Sequence, residues 1–292
     1  SAVLPVLKRL SEMCMRKITT SLLLSAAVLQ AEASTFQWGQ EISGAPDTGV
    51  GTRFATSTVA ISLPLERADR GTESLTSDVS LELTEFRWEG ANAAEGEYIW
   101  LSVPIKYRQK RTGSTEFHLM AEPGVMTDLD AVGTENLNLN VEISGRTYTG
   151  RTTFWQYGIL VDRKFGDRKP RPLLALATKL TSDTEMWLGF PKSNIQTRWS
   201  QEFSTYARFY PDGGYWKEEV DGLTPAKVTT ISYTNWRMGV GAEFRWRNGV
   251  WLNAEVGQLR NRTIRATDST GVEVSADPAE NGYWQLGASL RF

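Results

Sequence analysis

The chain's only histidine, His118, sits in an alternating stretch, Glu116-Phe117-His118-Leu119-Met120-Ala121-Glu122, that puts Glu116 and Glu122 on the imidazole's own face of a strand. An imidazole flanked by carboxylates is raw material for general acid–base chemistry. The remainder of a catalytic site is missing. No Gly-rich phosphate loop, serine elbow or other catalytic motif occurs, and no His, Cys and carboxylate cluster has metal-ligand spacing. Asp47 to Gly51 and Asp212-Gly213-Gly214 combine Asp with Gly as calcium loops do, but turn formation explains both more simply. His118 therefore reads as a polar wall residue. No metal, no cofactor and no enzymatic activity are expected.

The other charges that stand out share this placement. Asp78, Glu82 and Lys106 fall on the polar faces of alternating stretches, as do Glu142 and Arg146. So do Arg237, Glu243 and Arg245, and further on Glu255 and Arg291. Asn136 to Ser144 is the cleanest stretch: it puts Leu137, Leu139, Val141 and Ile143 on one side, and Asn138, Asn140 and Glu142 on the other. Such alternation predicts an all-β, antiparallel chain of about 12 strands, at 52–65, 75–89, 97–109, 115–126, 136–147, 152–165, 172–180, 184–190, 195–210, 228–247, 250–260 and 282–292. Asn248-Gly249 is a two-residue hairpin signal, because both positions tolerate positive φ. No sustained helical period and no Pro/Gly/Ser linker divides the chain.

The two ends say where such a sheet would reside. Met15-Arg16-Lys17 followed by the apolar run Leu22–Leu29 and by Ala31-Glu32-Ala33 reads as a signal peptide over 15–33. Residues 1–14 read as an upstream non-native or untranslated segment, and 34–292 as one domain. Gly282 to Phe292 alternates strictly, with Trp284, Leu286, Leu290 and Phe292 on its apolar face. It resembles the last strand of bacterial outer-membrane β-barrels, in which the terminal aromatic is an assembly signal. The expectation is an up-and-down transmembrane β-barrel with both termini periplasmic, 127–135 a periplasmic turn, and 211–227 and 261–281 extracellular loops. Trp88, Trp216, Trp246 and Trp251 near strand ends suggest aromatic girdles. A mean hydropathy of −0.34 suits a barrel with a polar lumen. A net charge of −2 argues against nucleic acid as a partner.

Trp187-Leu188-Gly189-Phe190-Pro191 and Pro211-Asp212-Gly213-Gly214-Tyr215-Trp216, within Thr184 to Trp216, resemble a family of bacterial outer-membrane barrels of unassigned function, and Phe165-Gly166 fits the same pattern. The resemblance implies a fold and a location in the cell outer membrane, with lipid, lipopolysaccharide and the barrel-assembly machinery as partners. It names no substrate, no catalytic residue and no oligomeric state. Outer-membrane phospholipases resemble a different pattern, with Ser two residues after the His; here that position is Met120.

A basic residue placed in hydrocarbon at the midplane costs roughly 2–4 kcal/mol, so the charged faces must line water or pair with one another. Three functions remain open. One is a passive channel for small polar solutes, and another a closed structural or interaction barrel whose loops bind a partner. The third, disfavoured by Met120, is a membrane lipid hydrolase.

Overall fold

The structure, a computed structural model, describes residues 34–42, 53–89, 95–111, 113–128, 136–220, 227–247, 249–267 and 273–291. In chain order they form β1 (Thr35–Glu41), β2 (Arg53–Asp69), β3 (Glu73–Glu89), β4 (Glu95–Ser102), β5 (Ile105–Lys110), β6 (Thr115–Thr127), β7 (Leu137–Tyr148) and β8 (Phe154–Val161). After the 3₁₀ turn Arg163–Phe165 come β9 (Arg171–Lys179), β10 (Thr184–Phe190), β11 (Ser193–Arg198), β12 (Phe203–Val220), β13 (Lys227–Arg247), β14 (Val250–Thr267), β15 (Glu273–Ala276) and β16 (Gly282–Leu290).

Each wall strand pairs antiparallel with its neighbours, and β1 pairs with β16 from Thr35↔Ser289 to Glu41↔Tyr283, which closes the sheet on itself. Trp38 and Trp284 meet edge to face across this junction, with ring centroids 4.6 Å apart. β4 and β5 occupy one position in the ring, between β3 and β6. Pro104, which has no N–H to donate, divides them. Its carbonyl still accepts from Asp78 N, and Val103 N donates to the Pro123 carbonyl, so the ladder survives the break. β15 is an outer addition to β14. The barrel wall therefore has fourteen strand positions.

Alternation decides which face is wet. Along β7, Leu137, Leu139 and Ile143 are about half exposed while Asn138, Asn140 and Ser144 are buried. Leu174, Leu188, Val240, Val256 and Leu286 repeat the pattern around the ring. Apolar side chains outward and polar ones inward, on a sheet closed on itself, is the arrangement a hydrocarbon surround requires. The molecule is an outer-membrane-type β-barrel.

The ring holds two more strands than the twelve the alternation predicts. β1 is short and lies directly after the signal-like segment. The expected strand 195–210 is two strands, because the chain turns between Trp199 and Phe203, where Trp199 N and Ser200 N both donate to the Phe203 carbonyl. That turn reverses the sense of every strand before it. Thr127, the end of β6, accordingly lies on the side opposite Ser34 and Arg291, whereas the expected periplasmic turn at 127–135 required it on the same side; residues 129–135 themselves lie outside the described residues. The long loops are corrected too. Pro211–Val220 continues β12, Asn261–Thr267 continues β14 and β15 pairs with it, so these parts of the expected loops 211–227 and 261–281 are strand; 221–226 and 268–272 lie outside the described residues. Gly249 takes φ 77°, as the hairpin turn required.

Candidate functional site

The lumen is divided. On the half away from the chain ends, Phe54, Phe86, Tyr98, Trp100, Met126, Trp216, Tyr233 and Ile264 pack into one buried cluster. Rings from β2 and β3 meet rings from the far wall: Phe86 lies 5.1 Å from Trp216, and Phe54 lies 5.0 Å from Tyr233, centroid to centroid. Trp216 is thus part of a plug rather than a girdle, because it sits on the inward face of β12. Around the plug lie paired charges. Arg262 Nη2 meets Glu41 Oε2 at 2.9 Å, Tyr233 Oη donates to Glu41 Oε1 at 2.8 Å, and Arg237 Nη2 meets Asp212 Oδ2 at 2.7 Å. Arg163 Nη2 reaches Glu82 Oε2 at 2.7 Å, and Glu255 takes Arg208, Tyr283 and Tyr210.

The other half holds a cavity of about 880 Å³. It runs from Arg291, Glu243 and Ser289 beside the chain ends to Glu82, Asp162, Lys164 and Asp212 under the plug. Glu142 and Arg146 line its side; Glu142 is held by Ser144 Oγ and Gln156 Nε2, and Arg146 by Gln156 Oε1. At the rim Arg291 pairs with Glu243 at 3.1 Å and lies over the Trp251 ring. Trp251 therefore shares the inward face with Arg245, its register partner, whereas Trp246 points outward.

The remaining sequence candidates fall along the same inner face. Lys106 faces Asp78 at 3.6 Å, and His118 Nε2 contacts Glu116 at 3.2 Å. Glu122 accepts from Trp100 Nε1, Ser102 Oγ and Asn140 Nδ2, which joins it to the plug. Arg245 is exposed near the rim with no ion pair among the described residues. Trp284, Leu286 and Leu290 share the outward face of β16. Phe292, the Trp88 side chain and Asp47 to Gly51 lie outside the described residues. No His, Cys, Asp and Glu group among the described residues is arranged to hold a metal.

Asp212-Gly213-Gly214 is corrected from a turn to part of β12. A Cβ at Gly213 would stand 2.1 Å from the Tyr233 carbonyl, so β13 can approach only because glycine is there. Composition held no sign of Glu41, Arg163, Arg208 and Arg262 as lumen residues. Glu41 and Arg262 lie in stretches read as non-strand, and Arg163 projects from a turn.

That turn belongs to the connection between β8 and β9. Its N-cap, Asp162, accepts from Lys164 N, and Gly166 closes it in the left-handed region. Burial pushes the Asp167 carboxyl up, but the Arg171 guanidinium bonded to it, with the Lys169 amide, holds it below the ordinary range.

No protein-family model and no curated protein matches the sequence. Solved structures do. An outer membrane channel from Pseudomonas putida F1 aligns over 90% of this chain and 95% of its own, at 11% identity and TM-score 0.48. The translocator domain of the autotransporter NalP from Neisseria meningitidis covers 97% and 96% at 13% identity and TM-score 0.37. OccK5 from Pseudomonas aeruginosa covers 89% and 98% at 9% identity and TM-score 0.31. No residue role follows from likenesses this distant.

Proposed function

We propose that this barrel is a passive outer-membrane channel for small polar solutes, and not an enzyme. The observation that carries the reading is the cavity of about 880 Å³, lined by charges of both signs and continuous with the rim at Arg291 and Glu243. A wall of fourteen strands falls between small filled barrels and open porins of 16–18 strands, a size at which inward side chains decide whether water passes. Outer-membrane lipid and lipopolysaccharide surround its apolar belt, and the barrel-assembly machinery inserts it. Planar-bilayer recording of the purified protein is the test. Discrete, salt-dependent steps support the channel.

One observation favours a second reading, a closed interaction barrel: the aromatic plug fills the lumen beneath the tall ends of β12, β13 and β14 that rise on the side away from Arg291. Silence at every voltage and pH would turn the assignment to that reading.

A further inference from the structure

The wall is not equally high all round. β12 and β13 have 18 and 21 residues, but β10 and β11 have only 7 and 6. A tilted strand needs about 9–11 residues to cross the hydrocarbon. The hairpin Phe190–Ser193 therefore ends inside the bilayer's depth. Above it, β9 loses its β10 partner beyond Leu174↔Phe190, and β12 loses its β11 partner beyond Phe209↔Ser193. This leaves a notch where two strands are missing.

Backbone at such a depth is tolerated only if protein covers it or it faces a water-filled cavity. The β8–β9 connection does the covering, by wrapping the free edge of β12. On the inward side, Arg163 donates from Nη1 to the Gly213 carbonyl and pairs with Glu82, while Lys164 stands 3.8 Å from Asp212. On the outward side, Phe165 stacks on Phe190 at 5.8 Å and meets Trp236 at 6.2 Å, and Trp236 stacks on the half-exposed Phe209. One layer of residues at Phe190 and Pro191 thus separates lipid from the cavity.

The cavity behind the notch has an apolar side, formed by Leu160, Leu173, Trp187, Phe190 and Pro191, and a cation at its edge, Lys192. Every other lining cation is engaged: Lys164 and Arg237 by Asp212, Arg208 by Glu255, Arg291 by Glu243, Arg146 by Gln156. Lys192 has no ion pair among the described residues.

We propose that the notch is a side passage between the cavity and the bilayer, and that the cavity binds amphiphiles with an anionic head, the head on Lys192 and the apolar body against the Phe190–Pro191 side. This goes beyond solute conduction and stands or falls separately from it.

The test uses the mature chain in discs of zwitterionic lipid, with 11-(dansylamino)undecanoate as probe and its uncharged alcohol analogue as control. Energy transfer from tryptophan to dansyl should saturate with the carboxylate probe. Lys192→Gln should weaken it about tenfold, the loss of one charge-assisted contact, and leave the alcohol unchanged. Equal binding by Lys192→Gln, with heat-modifiable migration confirming the fold, would overturn the head-group site. For the route, a bulky polyethylene-glycol maleimide on Arg291→Cys blocks the rim. Loading from lipid that persists, and quickens in Phe165→Ala, supports the side passage; loading abolished by the rim block overturns it.

Discussion

Arg262 on β14 and Glu41 on β1 form an ion pair from which solvent is wholly excluded, Nη2 to Oε2 at 2.9 Å. Glu41 takes further bonds from Tyr233 Oη and the Thr56 amide, and Arg262 donates to the Phe54 and Ala279 carbonyls. Nearly every lone pair and proton of the two groups is thereby used at the plug's edge. Removing one member strands the other. Arg262→Met should destabilise by about 3–5 kcal/mol, read from urea-induced loss of heat-modifiable migration. Replacing both by Met and Leu should recover most of that loss, and failure to recover would show that packing, not charge, is at stake.

The plug itself sets the second expectation. Trp216→Ala removes a buried ring that bridges β12 to Phe86 on β3. The cost should be about 3–5 kcal/mol, and single-channel conductance should rise because the lumen is no longer filled at that level. Conductance that stays at its original value would mean the constriction lies elsewhere.

The outward and inward faces predict different tolerances. Leu139→Arg, on the lipid side of β7, should cost roughly 2–4 kcal/mol near the midplane. Gln37→Arg, which opens into the cavity from β1, should cost far less. Paired folding titrations in detergent or bilayer compare them directly, and similar penalties would contradict the assigned faces.

Ion selectivity should respond at the rim. Arg291→Glu leaves Glu243 facing a second carboxylate at the cavity mouth. The reversal potential under a salt gradient should move toward cation preference, most clearly at low ionic strength, where charges are least screened.

Asp167 gives a pH dependence. Its folded-state pKa lies below the unfolded one, so its contribution is present above the ordinary carboxylate range and is lost as pH falls through the folded value. An environment-sensitive dye on Lys169→Cys should report loosening of the β8–β9 connection below about pH 4. Asp167→Asn should be loose at all pH values, because Arg171 then lacks its charged partner.

The fold was legible where one face meets lipid. Leu137 to Ser144 and Gly282 to Leu290 carry their orientation in strict alternation, and a register slip of one residue would invert both. Legibility failed where side chains meet inside the barrel. Nothing local marks Arg163 as Glu82's partner, since the two are 81 residues apart and one projects from a turn. The hairpin extensions were hidden for a related reason. Pro211, Gly213 and Gly214 look like turn residues, yet β12 uses the glycines to let β13 and the Trp216 ring come close.

The junction of β1 with β16 carries a consequence for biogenesis. The other neighbours in the ring follow one another closely in sequence, but this pairing brings Thr35 beside Ser289. The nascent molecule stays an open ribbon with two sticky margins until its last strand arrives, and such long-range closure is intrinsically slow. Closure of the seam is the last pairing the ring can make, and the Trp38–Trp284 contact is the clasp whose formation would mark it.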